Sequence, residues 1–238
     1  MDTGNPIIIG DVESFSIVDF PNKIAAVVFM QGCPWKCPFC YNLSLQKIGK
    51  QTETEWAFET LKCLLKKRKP MLDAVVFSGG EPLLQDGLEE AIDEVKVLGY
   101  EVGLHTGGFR PQMLKKVINK VDWVGLDIKA PIDAGKYKVA TGCFDNVENI
   151  KESLNILIKS GVDFECRTTC DPRILSVNDI YEIATSLRDL GVKEYYLQKY
   201  RPIESDKTTT DDMCESIIND IKLLDFLKAS FEVFDVRK

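Results

Sequence analysis

Nothing in this 238-residue sequence supplies a surplus of positive charge: 30 Lys and Arg stand against 37 Asp and Glu, for a formal net charge of −7. A nucleic-acid partner is therefore not expected, since such partners need a basic stripe or patch to neutralise phosphates. The one basic run, Lys66-Lys67-Arg68-Lys69, falls at the end of an expected helix, Glu53 to Lys67, where cations complement the helix dipole and stay hydrated. Long apolar runs are lacking as well. The stretch Ile24 to Met30 is far shorter than the roughly 20 residues that a membrane-spanning helix needs, and no basic N-terminal region leads into a signal-type apolar segment. The expectation is a soluble, cytoplasmic protein with no membrane partner. Linkers and low-complexity tracts are also missing, and 45% apolar residues suffice for one compact domain over residues 1–238. Without a secretion signal, the 8 cysteines are not read as a disulfide framework but as reduced thiols available to metal.

What the sequence does have is a crowding of thiols. Cys33, Cys37 and Cys40 form a C-x3-C-x2-C triplet. Iron–sulfur clusters usually take four cysteine ligands, so three in a tight loop suggest a [4Fe–4S] cluster with one iron left open for a substrate or cofactor. A zinc site completed by a distant Cys or His, or three buried apolar cysteines, are the alternatives. Downstream, Asp73 to Glu81 reads D-A-V-V-F-S-G-G-E, an apolar strand opening into Gly79-Gly80-Glu81-Pro82. The glycines permit close backbone approach of a ligand, and Glu81 can accept charge-assisted hydrogen bonds from an ammonium group. A plain strand-to-helix loop would read the same way.

Together the triplet and the G-G-E-P turn resemble the radical S-adenosylmethionine superfamily. Further pieces, S-I-V-D-F-P-N-K from Ser16, M-Q-G-C-P-W-K-C-P-F-C-Y-N from Met30, L-D-I-K from Leu126, E-C-R-T-T from Glu165 and L-Q-K-Y-R-P from Leu197, look most like the activating proteins of anaerobic ribonucleoside-triphosphate reductases, which are similar to pyruvate formate-lyase activating enzymes. The resemblance implies that Cys33, Cys37 and Cys40 hold a [4Fe–4S] cluster, and that Gly79, Gly80 and Glu81 meet the methionyl ammonium of S-adenosylmethionine.

Apolar strands alternate with amphipathic segments, the pattern of βα units around a parallel sheet. Strands are expected at Ile24 to Met30, Ala74 to Ser78, Glu101 to His105, Trp123 to Ile128, Asp163 to Thr169 and Glu194 to Gln198. Helices are expected at Gln85 to Leu98, Pro111 to Asn119, Val147 to Ser160, Asn178 to Leu190 and Asp211 to Leu227. Six units are too few for a closed eight-fold barrel. The fold class is α/β, a partial (β/α)6 TIM-like barrel of the radical SAM type, which the resemblance also implies. Residues 1–21 would carry an N-terminal hairpin (Ile7 to Asp19), 22–228 the partial barrel and 229–238 a tail.

In such folds polar residues at the carboxyl ends of strands carry the chemistry. Asp127 and Lys129 alternate with Leu126 and Ile128 and so share a face; an ion pair with Arg167 is one reading. The resemblance implies instead that both line the S-adenosylmethionine pocket. Arg167 would bind a carboxylate, either the methionyl one or an inward acidic side chain. The chain's one histidine, His105, precedes Thr106 at a strand end, where the pyruvate formate-lyase activating enzymes have an aspartate that helps hold a monovalent cation. Imidazole suits that ion poorly, so His105 either bonds S-adenosylmethionine or caps the strand. Gln198 is expected at adenine, and Phe39 at the family's aromatic position beside the ring. Cys63 reads as a small core residue, while Cys143, Cys166, Cys170 and Cys214 lack the compact spacing of an auxiliary cluster.

The function that the resemblance implies is that of a radical SAM oxidoreductase. It would cleave S-adenosylmethionine reductively and abstract a glycine α-hydrogen from a partner glycyl-radical enzyme, an anaerobic ribonucleotide reductase, with flavodoxin or ferredoxin as the reductant. A radical SAM enzyme acting on a small molecule or peptide, and a non-catalytic zinc or electron-transfer module, are the alternatives.

Overall fold

The computed structural model describes residues 7–49, 56–143 and 147–238. Its strands are β1 (Ile9–Ser16), β2 (Ala25–Met30), β3 (Ala74–Gly79), β4 (Glu101–Thr106), β5 (Trp123–Asp127), β6 (Asp163–Cys170), β7 (Glu194–Lys199) and β8 (Val233–Arg237). Its helices are α1 (Phe58–Arg68), α2 (Leu88–Val97), α3 (Pro111–Val117), α4 (Ala134–Thr141), α5 (Val147–Ser160), α6 (Val177–Asp189), α7 (Asp211–Ile218) and α8 (Ile221–Ser230). They fall into two compact units. The first holds residues up to Pro34, Asn42–Gly125 and Glu152–Asp163; the second holds Trp35–Tyr41, Leu126–Lys151 and Phe164–Lys238.

In the first unit β2, β3 and β4 run parallel, with Ala25 opposite Ala74 and Met30 opposite Gly79, while β1 lies antiparallel on β2. Every residue of Ala25–Val28 and Ala74–Phe77 is fully buried, as expected of parallel strands covered on both faces. Ala25, Val27, Ala74 and Val76 point to one side, where they meet Phe20 and Trp123 in a buried cluster. Each buried Val or Phe contributes about 1.5–3 kcal/mol, and the register that achieves this burial places Met30, Gly79 and Thr106 at the strand ends.

In the second unit β6, β7 and β8 run parallel, with Cys166 opposite Tyr195 and Gln198 opposite Arg237. The chain after β5 joins β6 through Ile128 N–H to Arg167 C=O at 2.8 Å and Thr168 Oγ1 to Ile128 C=O at 2.9 Å. A Ser176–Asp179 capping box starts α6, which packs on α8 through Tyr181 and Phe226 at 4.9 Å. Each outermost strand has a single neighbour, β2 for β1 and β7 for β8, so the α/β sheet is open rather than closed.

Several expectations are corrected. The hairpin of Ile7 to Asp19 is one strand, β1, whose partner is β2 rather than itself. The tail of residues 229–238 contains β8, a parallel strand beyond the six expected. The helix from Asp211 to Leu227 is two, because Asp220 leaves helical geometry and caps α8 by accepting from Leu223 N–H at 2.8 Å. Helix α4 was not expected. Cys63 is exposed on α1, not in the core. Of the helix expected from Glu53, the first residues lie outside those described, and α1 begins at Phe58.

Candidate cluster and cofactor site

The expected site residues divide between the two units. In the first, the chain leaving β2 is pinned before its first cysteine. Gln31 Nε2 donates to Ser44 C=O and Lys47 C=O at 3.2 and 2.7 Å, Gly32 N–H to Leu45 C=O at 2.8 Å, and Cys33 N–H to Gln46 C=O at 3.3 Å. The end of β3 closes on this segment: Gly80 N–H reaches Met30 C=O at 2.8 Å and Glu81 N–H reaches Gly32 C=O at 2.9 Å. Gly79 has φ +106°, and a Cβ there would lie 2.3 Å from Met30 N; one on Gly80 would lie 2.1 Å from Gly32 C=O. The space that a side chain would take at the double glycine is thus filled by the main chain leading to Cys33.

Glu81 is buried and accepts from three donors of its own unit, Leu83 N–H at 3.0 Å, Thr106 Oγ1 at 2.6 Å and Gly107 N–H at 2.9 Å. Thr106 Oγ1 in turn accepts from Gly108 N–H at 3.0 Å, and Ser153 Oγ donates to Gly108 C=O at 2.9 Å. Glu81 therefore shapes the Thr106–Gly108 turn at the end of β4. His105 Nε2 lies 2.8 Å from Asp19 C=O; a carbonyl only accepts, so this nitrogen carries a proton. The ring also meets the Trp123 edge at 5.4 Å, with Nδ1 3.5 Å from Ser78 Oγ.

In the second unit the cysteine loop rests on α4. Lys36 N–H donates to Thr141 C=O at 2.6 Å. Gly142, which ends α4 in the left-handed conformation at φ +69°, comes so close that a Cβ would lie 2.4 Å from Lys36 C=O. Buried Tyr137 ties the same helix to the strand-end residues, its hydroxyl accepting from Lys129 N–H at 3.2 Å. Cys37 and Cys40 are joined by a turn, Cys40 N–H to Cys37 C=O at 3.1 Å. Burial pushes the Cys37 thiol up to about 11, with the Lys129 ammonium opposing.

Arg167 grips Asp127 Oδ1 through Nε and Nη2, both at 2.9 Å, so the ion-pair reading of these residues is realised. Lys129 Nζ stands 3.6 Å from Asp127 Oδ2, 5.1 Å from the Trp35 ring centre and 6.0 Å from that of buried Phe39. The arrangement sets two cations against one carboxylate beside two aromatic rings, an environment suited to an anionic group. Gln198 Oε1 meets Thr169 Oγ1 at 3.4 Å. Sequence reasoning missed the bidentate pair of fully buried Glu165 with Arg237, at 2.5 and 2.8 Å, and the seat formed by Tyr137, Thr141 and Gly142. The only sequence signal for the seat was the Thr-Gly at a helix end.

All eight thiols are free. Among the described residues no three His, Cys, Asp or Glu side chains converge as ligands of a single metal ion. The donor set fits a cluster instead: three soft thiolate sources within one short loop, each able to take its own iron. Cys166, Cys170 and Cys214 are buried. Burial raises the first two well above the usual thiol range, Cys170 to about 12.

The sequence profile of the Radical SAM superfamily matches residues 27–171, more than half of the chain. The Methanocaldococcus jannaschii protein MJ1227, provisionally named a glycyl-radical enzyme activating enzyme, is 34% identical over 203 residues, covering 82% of this chain and 80% of its own. A pyruvate formate-lyase-activating enzyme of Clostridium pasteurianum is 38% identical over 141 residues, 56% of this chain and 57% of that one. Among solved structures, a radical SAM methyltransferase from Sphaerobacter thermophilus superposes with a TM-score of 0.68 at 14% identity, covering 92% of this chain and 67% of its own. Streptococcus suis SuiB bound to S-adenosylmethionine gives 0.62 at 13% identity, covering 90% of this chain, which spans 46% of SuiB. The structures establish the fold, and the profile and the sequence relatives establish the family: this chain belongs to the radical SAM superfamily of enzymes.

Proposed function

We propose that this protein is a glycyl-radical enzyme activating enzyme and that its partner is an anaerobic ribonucleoside-triphosphate reductase. The observation that carries the first part is the 34% identity to MJ1227 across four-fifths of both chains. The second part rests on the tracts Ser16–Lys23, Met30–Asn42 and Leu197–Pro202, whose wording resembles reductase activating proteins.

We assign the cluster to Cys33, Cys37 and Cys40. S-adenosylmethionine is assigned to Phe39, Gly79, Gly80, Glu81, His105, Thr106, Asp127, Lys129, Arg167 and Gln198. Held there, a reduced cluster would supply the single electron for reductive cleavage of S-adenosylmethionine, the chemistry needed to take a hydrogen atom from a glycine α-carbon. The protein's share is to hold and orient. Lys129 and Arg167 provide positive charge for the methionyl carboxylate, and Asp127 fixes both cations at the end of β5. Glu81 acts through the Thr106–Gly108 turn that it shapes. His105, its Nε2–H held on Asp19 C=O, is fixed in place at the end of β4. A one-electron donor of the flavodoxin or ferredoxin type is part of the proposal, as are a single domain and a cytoplasmic setting.

Mixing the reconstituted protein with S-adenosylmethionine, dithionite and the reductase of the same organism tests the reading. The expected result is 5′-deoxyadenosine formed in step with a glycyl radical on the reductase. Stimulation by a small molecule or free peptide, with no radical on any glycyl-radical enzyme, refutes it.

A further inference from the structure

One densely bonded polar group of the second unit lies outside every residue assigned above. Arg173, in the turn after β6, donates from Nε to Asp171 Oδ1 and Oδ2 at 2.9 and 3.2 Å. Its Nη1 pairs with Asp206 Oδ2 at 2.9 Å, and Nη2 reaches Asp171 Oδ2 at 2.6 Å and the Tyr200 hydroxyl at 2.8 Å. The guanidinium also lies over the Tyr200 ring, 4.8 Å from its centre. Tyr200 passes its own proton toward Asp206 Oδ2 at 2.9 Å, and Asp206 Oδ1 accepts from Thr208 and Thr209 N–H at 3.0 and 3.1 Å. Both carboxylates have side chains only 1% exposed. Two buried carboxylates around one cation are costly unless every lone pair is met, and here donors surround them. The fork is thereby fixed in one orientation.

That orientation aims at the cysteine loop. Nη2 also approaches Pro38 C=O at 3.3 Å, sharing its two hydrogens among three acceptors. Pro38 follows Cys37 directly. Two residues beyond Phe39, the Tyr41 ring stacks on Tyr200, with centroids 6.4 Å apart and planes at 26°, and its hydroxyl accepts from Arg201 N–H at 2.8 Å. Cys40 is thus bracketed by two residues held on the same network.

We propose that Arg173, set by Asp171, Asp206 and Tyr200, is a positioning residue that fixes the Pro38–Tyr41 segment and so the place of the Cys40 thiolate in the cluster. The proposal rests on the assignment of Cys40 as a ligand, but its network is independent of what the enzyme acts upon. Lysine at 173 keeps the charge and loses the fork, since an ammonium cannot serve Asp171, Asp206 and Pro38 at once.

The test is made on Arg173→Lys, with Tyr200→Phe as the milder second variant should the first not fold. Iodoacetamide labelling of the cluster-free protein, followed peptide by peptide, reads the mobility of each cysteine. Electron paramagnetic resonance of the reconstituted, reduced protein reads the cluster. Labelling at Cys40 is expected to rise roughly tenfold, the opening released by losing a charge-assisted hydrogen bond, with Cys33 changed by less than about twofold. The g-values of the reduced cluster are expected to shift. An unchanged ratio of Cys40 to Cys33 labelling, or a spectrum superimposable on that of the wild type, overturns the proposal. Failure of the wild type to take up iron would overturn the cluster assignment instead, and the labelling ratio would still decide the role of Arg173.

Discussion

Replacing Gly142 by Ala puts a methyl group where the cysteine loop now sits. The added Cβ would stand 2.4 Å from Lys36 C=O and 3.1 Å from Lys36 Cβ, so the loop has to retreat. A withdrawal of roughly 1 Å is needed to reach ordinary contact, and it pulls Lys36 N–H off Thr141 C=O, now at 2.6 Å. The left-handed backbone, at φ +69°, adds its own strain for any residue with a Cβ. Conformation costs about 1–2 kcal/mol and the hydrogen bond about 1 kcal/mol, together roughly 2–3 kcal/mol. For a chain of this length that corresponds to a fall in Tm of roughly 5–10 °C. Because the displaced residue precedes Cys37, iron uptake on anaerobic reconstitution is expected to fall as well. Gly142→Asn separates the two causes: Asn tolerates the left-handed region but carries the same Cβ. Close approach predicts that both variants lose iron alike. Restoration of iron uptake by Asn would refute the loop-seat reasoning and leave only a helix cap.

Gly80→Val is expected to abolish cluster binding rather than S-adenosylmethionine binding alone, because its Cβ would lie 2.1 Å from Gly32 C=O in the segment leading to Cys33; full iron content with lost cofactor affinity would contradict this. Arg237→Met strands the fully buried Glu165 carboxylate and is expected to cost about 3–5 kcal/mol in urea unfolding. Most of that is expected to return in the Glu165→Leu/Arg237→Met double variant, and a double variant as unstable as the single would count against an uncompensated charge. Donors from Thr209, with Thr208 N–H and the Tyr200 hydroxyl, hold the Asp206 carboxyl well below the usual carboxylate range. Its folded pKa being depressed, the stabilisation is present above the unfolded value, about 4, and is lost as pH falls below it. The urea midpoint of the metal-free protein is therefore expected to drop in that acid window, less steeply in Asp206→Asn; an identical acid slope in the variant would exclude the carboxylate as a cause.

The parallel strands were legible because Ala25–Met30 and Ala74–Gly79 are short, apolar and punctuated, and burial on both faces leaves such a segment no other place. Alternation along L-D-I-K likewise put Asp127 and Lys129 on one face, where they meet at 3.6 Å. Other features depend on partners distant in sequence. Nothing local to V-F-D-V-R tells that Arg237 meets Glu165, and so β8 read as a tail. Helix α4 is short, and its role appears only when Gly142 meets Lys36, more than a hundred residues earlier. The G-G-E-P turn was recognised, but its packing was not: the glycines admit the main chain of Met30 and Gly32, and Glu81 serves Thr106 and Gly107. Asp220 shows the limit of periodicity, since one capping residue splits a continuous amphipathic stretch into α7 and α8.

The central claim, glycyl-radical activation, is tested most directly by isotope transfer. The proposed partner, the anaerobic ribonucleoside-triphosphate reductase of the same organism, is labelled with deuterium at its glycine α-carbons and mixed anaerobically with the reconstituted protein, S-adenosylmethionine and a reductant. The account predicts deuterium in 5′-deoxyadenosine and an electron paramagnetic resonance signal near that of a free electron, a doublet with unlabelled glycine that collapses when the α-position carries deuterium. Cleavage of S-adenosylmethionine without deuterium transfer and without a glycyl signal would contradict it.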